Sequence, residues 1–144
     1  PEGTIVTYVH AGGKIGVMVE VNCETDFVAR NDDFQGFAKE VAMQIAASNP
    51  RYVSREDVPE AELEKEKEIM KAQVIESGKP AEIADKIAEG KIEKFFEENC
   101  LIDQVYIRDS KVKINDLLQA LIAKVGENIK VRRFTRYQLG ESLD

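Results

Sequence analysis

Ile5-Val6-Thr7-Tyr8-Val9-His10-Ala11-Gly12-Gly13-Lys14-Ile15-Gly16-Val17-Met18-Val19-Glu20-Val21 reads as two β-branched or aromatic-rich runs about a glycine pair. A polar turn with adjacent glycines supplies the positive φ that a tight hairpin needs, so residues 5–9 and 15–21 are expected as antiparallel strands. Side chains alternate along a strand, which puts Ile15, Val17, Val19 and Val21 on one face and Gly16, Met18, Glu20 and Asn22 on the other. The first of these faces is built for a core.

Working outward, Phe34, Phe37, Ala38, Val41, Ala42, Ile45 and Ala46 recur at helical spacing and predict an amphipathic helix over residues 31–47, ended by Asn49-Pro50. Pro59 opens a second helix that runs to about Ser77, densely charged, with a thin stripe of Leu63, Met70 and Val74. A third starts near Pro80 and ends near Asn99, its apolar face built from Ala84, Ile87, Ala88, Ile92 and Phe95, with Gly90 as a weak point. Residues 104–107 read as a short strand, 114–125 as a helix stopped by Gly126, and 129–139 as a long final strand.

The resulting order predicts an α+β fold: a small antiparallel sheet of three main strands, with residues 104–107 as a minor fourth, covered by helices on one face. Residues 1–144 form one domain, with a helical excursion at about 59–99 as the part least tied to the core. The excursion is a segment expected to project or to meet a partner.

A formal charge of -7 weighs against wholesale binding to nucleic acid or an anionic membrane, since both need a cationic field. No apolar run approaches the ~20 residues that span a bilayer, and residues 1–20 lack a basic segment followed by an apolar one. Cys23 and Cys100 have no CxxC spacing and no histidine near them in the sequence, which fits reduced thiols in a cytosol-like compartment better than a zinc site. A cytoplasmic protein is expected, or one of an organellar matrix or stroma in a eukaryote.

Enzymatic chemistry has thin material here. His10 is the single histidine and lies in the glycine-rich turn, so no triad can be assembled around a nucleophile. Gly12, Gly13 and Gly16 lack both P-loop and dinucleotide-fold spacing, leaving a tight turn as their reading. Glu24, Asp26, Asp32 and Asp33 lack the alternating ligands of a calcium loop, and Asp32 and Asp33 suit a helix start. Neither a cofactor nor a metal is expected.

What stands out is Asn22-Cys23-Glu24-Thr25-Asp26-Phe27-Val28-Ala29-Arg30, a large aromatic among polar residues between a strand and a helix. Phe27 either folds back as a staple on the first turn of the following helix or stands out as an anchor for a partner. Sequence physics leaves both open.

The run from Glu24 to Arg30 resembles the Thr-Asp-Phe-Val-Ala signature of elongation factor Ts. The resemblance extends through Tyr8-Val9-His10-Ala11-Gly12-Gly13, the helix over 34–47, Leu101-Ile102-Asp103-Gln104 and Val131-Arg132-Arg133-Phe134 with Gly140, covering nearly the whole chain. It implies a protein that binds the translational GTPase elongation factor Tu and promotes exchange of GDP for GTP with no covalent step. On that resemblance Phe27 is a wedge against the nucleotide-binding domain and Asp26 its polar companion. Thr25, Val28, Arg30 and Asn31 complete the loop, and His10, Gly12 and Gly13 add contacts from the hairpin turn. Many members begin with a small helical module resembling a ubiquitin-associated domain, and residues 1–144 hold no counterpart, so weaker binding to the GTPase is expected. Single-core members resemble homodimers, so a homodimer is expected as well.

Two other classes remain in view. A nucleic-acid module would use Lys130, Arg132, Arg133 and Arg136, with alternation placing Lys130, Arg132 and Arg136 on one strand face, or these charges simply keep the strand soluble. A small hydrolase would use Glu24 and Asp26, and Asp26→Asn would abolish its turnover.

Overall fold

Strands β1 (Glu2–Val9) and β2 (Ile15–Cys23) pair antiparallel from Glu2 opposite Cys23 to Val9 opposite Gly16, and both turn glycines, Gly12 and Gly13, have positive φ. These are the strands and the turn expected, in a computed structural model that describes Pro1–Asp144 throughout. Near the start of β1, Gly3 has φ of 150°, and a Cβ there would lie 2.1 Å from the Val21 carbonyl oxygen. The backbone at that point closes only around glycine.

After β2 come two helices in quick succession. A four-residue helix α1 (Asp26–Ala29) precedes α2 (Asp32–Ser48), whose first N–H groups are capped by the Asn31 side chain through Asp33 and Phe34. Helix α2 ends at Asn49, in the left-handed conformation, just before Pro50. Phe34, Phe37, Val41 and Ile45 of α2 lie buried over Val17, Val19 and Val21, the β2 face marked by alternation. Helix α5 (Ile114–Val125) stops at Gly126 and adds Ile114, Leu118 and Leu121 to the same core.

The charged excursion consists of α3 (Glu60–Glu76) and α4 (Ala81–Asn99). Val74 is the one buried residue of α3, as its thin stripe implied, and α4 runs unbroken through Gly90. Val58, Ile92, Phe95, Phe96 and Cys100 form a second, smaller core, flanked by Tyr52, Leu63 and Met70. Arg55 fastens this core to the rest. Its guanidinium donates to both Glu93 oxygens at 2.9 and 2.8 Å and to Asp103 at 3.1 Å, and lies 4.7 Å above the Phe96 ring.

The short strand appears as β3 (Val105–Tyr106), but it pairs with β4 (Asp109–Lys113) in a separate two-stranded sheet. Its anchor is a buried amide pair. Gln44 on α2 donates to the Gln104 side chain at 3.2 Å and to the Val105 carbonyl at 3.1 Å, and accepts from the Ile107 N–H at 2.9 Å. Gln104 in turn donates to the Glu98 carbonyl at the end of α4 at 2.8 Å. Both amides are buried and satisfied, so they specify how α2, α4 and β3 meet.

Strand β5 (Lys130–Gln138) completes the main sheet in the order β1-β2-β5. The expected placement of Lys130, Arg132 and Arg136 on one face does not hold. Glu20 lies opposite Arg133 but Val21 opposite Val131, so Arg132 is the extra residue of a β-bulge and the alternation slips. Arg136 stands opposite Val17 on the helix-covered face and donates to the Ala46 carbonyl at 3.0 and 3.3 Å. Arg132 and Arg133 both reach Glu20, at 3.1 and 2.7 Å. Asn22 and the two arginines hold the Glu20 carboxyl down to about 2. Three of the four basic groups thus have internal partners, and the four do not line one strand face.

Cys23 and Cys100 are buried free thiols in different cores. Burial pushes the Cys23 thiol up and the Cys100 thiol up to about 11. No helix is long and apolar enough to cross a membrane.

Candidate protein-binding site

Phe27 is 75% exposed, whereas its neighbours Val28 and Ala29 are buried. That inversion follows from α1. A single helical turn points successive side chains about 100° apart, so with Val28 and Ala29 turned into the core Phe27 must face out. The staple reading does not survive, since a ring so exposed is not packed on α2. Asp26 and Arg30 stand beside it on the surface, their charged groups 3.5 Å apart. An exposed pair of this kind contributes little to stability.

The backbone under Phe27 is held from several directions. The Thr25 hydroxyl accepts from the Val28 N–H at 3.2 Å, capping α1, while Cys23 Sγ donates to the Thr25 carbonyl at 3.2 Å. Gln35 on α2 donates to the Ala29 carbonyl at 2.7 Å. The Glu127 carboxylate, from the loop before β5, accepts from the Glu24 and Thr25 N–H groups at 3.1 Å each and from the Thr25 hydroxyl at 2.7 Å. Glu24 returns the bond by accepting from the Asn128 N–H at 2.7 Å. Glu24 thereby ties the end of β2 to the loop before β5.

The expected site residues fall into two groups. Thr25, Asp26, Phe27, Val28, Arg30 and Asn31 lie together, but Val28 faces the core, Asn31 caps α2 and the Thr25 hydroxyl, though exposed, is engaged with Val28 and Glu127, which leaves Asp26, Phe27 and Arg30 as the side chains free to face a partner. His10, Gly12 and Gly13 are exposed at the other end of β2, about 27 Å away by the rise of a nine-residue strand. His10 Nδ1 lies 2.8 Å from the Tyr8 hydroxyl. Glu127 escaped sequence reasoning because it sits 102 residues from Thr25, in a Gly126-Glu127-Asn128 loop with no local signal of its own.

What the arrangement offers chemically is a rigid apolar anchor ringed by charge. No group of three His, Cys, Asp or Glu side chains converges to hold a metal ion.

Comparison with known proteins agrees with the sequence resemblance. The family model described as "Elongation factor TS" matches residues 1–141. A protein named "Elongation factor Ts" from Thermoanaerobacter sp. (strain X514) is 59% identical over 143 residues, which are 99% of this chain and 70% of that protein. A protein of the same name from Caldanaerobacter subterraneus subsp. tengcongensis is 57% identical, over 99% of this chain and 72% of its own length. One from Anaeromyxobacter sp. (strain K) is 58% identical, over 99% and 65%. With the match running through both cores and the Phe27 loop, the chain belongs to the elongation factor Ts family, whose members serve translation elongation.

Proposed function

We propose that this chain binds elongation factor Tu and accelerates its release of GDP, acting as a guanine nucleotide exchange factor and not as a catalyst of covalent change. The observation that carries the reading is Phe27, an exposed aromatic on a backbone tied to β2, α2 and the loop before β5. An apolar ring held in water gains free energy when a partner buries it, and a rigid one loses little entropy in doing so.

The mechanism is thermodynamic linkage. A factor that binds the nucleotide-free GTPase more tightly than the loaded form must weaken nucleotide binding by the same ratio. Phe27 inserts beside the elements that hold phosphate and magnesium and favours their displaced arrangement, with Asp26 and Arg30 flanking it as polar contacts. The hairpin turn with His10, Gly12 and Gly13 reaches the same partner about 27 Å away, a separation that suits a large GTPase surface. Residues 1–144 act as one core domain, α3 and α4 being its excursion.

The active form is a homodimer. Ile5, Val9, Met18 and Tyr137 are exposed on the sheet face that no helix covers, and pairing about a twofold axis would bury this apolar patch in both copies. Release of a fluorescent GDP from elongation factor Tu, with and without the chain, tests the exchange reading. Acceleration that grows with chain concentration is expected. Absence of acceleration together with absence of binding in a direct titration overturns it.

A further inference from the structure

We infer that Glu127 is the positioning residue of the exchange loop, holding Phe27 in place without touching the partner. The inference deepens the exchange reading and rests on it. Glu127 is half-buried between two fixed points: Gly126, the cap of α5, and Ile129, buried at 3% exposure. From there its carboxylate takes both free N–H groups of Glu24 and Thr25 and the Thr25 hydroxyl. The Thr25 oxygen then receives the Val28 N–H, so the chain of bonds spans the two residues that enclose Asp26 and Phe27. Glu24 closes the clasp on the Asn128 N–H. A carboxylate acceptor strengthens the bonds it receives, and Glu127 accepts three from one segment, the shortest at 2.7 Å from the Thr25 hydroxyl.

The clasp answers a specific need. Helix α1 has four residues, too few to hold its own direction, and the burial of Val28 and Ala29 turns Phe27 outward but does not hold the start of the turn at Glu24 and Thr25. Glu127 supplies that constraint from the loop before β5, which lies beside the end of β2 because Lys130 pairs with Asn22.

The experiment compares wild type, Glu127→Ala, Glu127→Gln, Phe27→Ala and the Phe27→Ala/Glu127→Ala double variant in GDP release from elongation factor Tu. In parallel, amide hydrogen exchange at Glu24, Thr25 and Val28 is followed in the isolated chain. Glu127→Ala is expected to cut the acceleration roughly tenfold, the scale of losing charge-assisted bonds, and to speed exchange of the three amides. Glu127→Gln keeps an acceptor for the two backbone N–H groups and is expected to recover most of the loss. On the Phe27→Ala background, Glu127→Ala is expected to have no further effect, because both act through one ring. Losses that multiply in the double variant, or a Glu127→Ala protein as active as wild type, overturn the inference. If wild type itself fails to accelerate release, the exchange reading falls, and unchanged amide protection in Glu127→Ala then overturns the clasp separately.

Discussion

Phe27→Ala should separate binding energy from folding energy more cleanly than any other substitution in the chain. A Phe side chain offers about 200 Å² for burial, and at 75% exposure about 150 Å² of it is still in water. At about 25 cal/mol per Å², covering that area is worth ~4 kcal/mol, an upper figure because a partner rarely buries the whole ring. Half to all of it corresponds to a loss of roughly thirtyfold to several hundredfold in the efficiency of GDP release. Folding stability should hardly move: exposed substitutions fall within about 0.5 kcal/mol, and alanine favours helix over phenylalanine by a similar amount. Titrating elongation factor Tu loaded with fluorescent GDP measures the first quantity, and urea unfolding the second. A variant that retains more than about a fifth of the activity would refute the anchor reading. One that lost more than about 2 kcal/mol of stability would refute the account of a ring that does not pack on its own chain.

The remaining predictions concern what holds that loop and its platform. Gln44→Leu leaves the Ile107 N–H and the Val105 carbonyl without their buried partner and should cost about 3–5 kcal/mol in urea unfolding, with the Ile107 amide exchanging fastest of all; a cost under about 1 kcal/mol would show the amide pair to be dispensable. Gly3→Ala meets the Val21 carbonyl at 2.1 Å and should lower stability by about 1–3 kcal/mol, whereas an unchanged unfolding midpoint would mean the β1 backbone adapts freely. Glu20, held down to about 2, stabilises the folded chain fully above its ordinary value of 4.5, and that contribution is lost as pH falls from there toward about 2. Glu20→Gln should flatten the acid limb of stability against pH over that window, and an identical acid limb would remove the cluster with Arg132 and Arg133 from the account.

Much of the architecture was legible because its cause is local. Apolar spacing in residues 34–46 and alternation in residues 15–21 report which side faces a core, whatever lies across it. Pro50, Pro59 and Gly126 punctuate helices by their own backbone limits. Strand β4 was missed because Asp109-Ser110-Lys111-Val112-Lys113 is mostly solvated and carries no alternating apolar face. The bulge at Arg132 was missed because alternation along one strand holds no trace of an insertion relative to its partner. Within the candidate site, Phe27 and its neighbours were legible as an oddity of composition. The direction of Phe27 was not, since it depends on which residues of a single turn are drawn into the core. Glu127 was out of reach altogether, because its role is defined by a pairing across 102 residues.

The two buried thiols carry a practical consequence for labelling chemistry. Maleimides and iodoacetamides react with accessible thiolate, and both Cys23 and Cys100 are screened by packing and shifted by burial further toward the protonated thiol. A single cysteine introduced at Lys79, in the exposed turn between α3 and α4, would therefore be the one nucleophile such reagents find, with no need to remove the native pair. Helices of 17 and 19 residues extend about 26–28 Å, so a dye there sits about that far along the excursion from Pro59 and Asn99 and gives a ranging point for distance measurements to a bound partner.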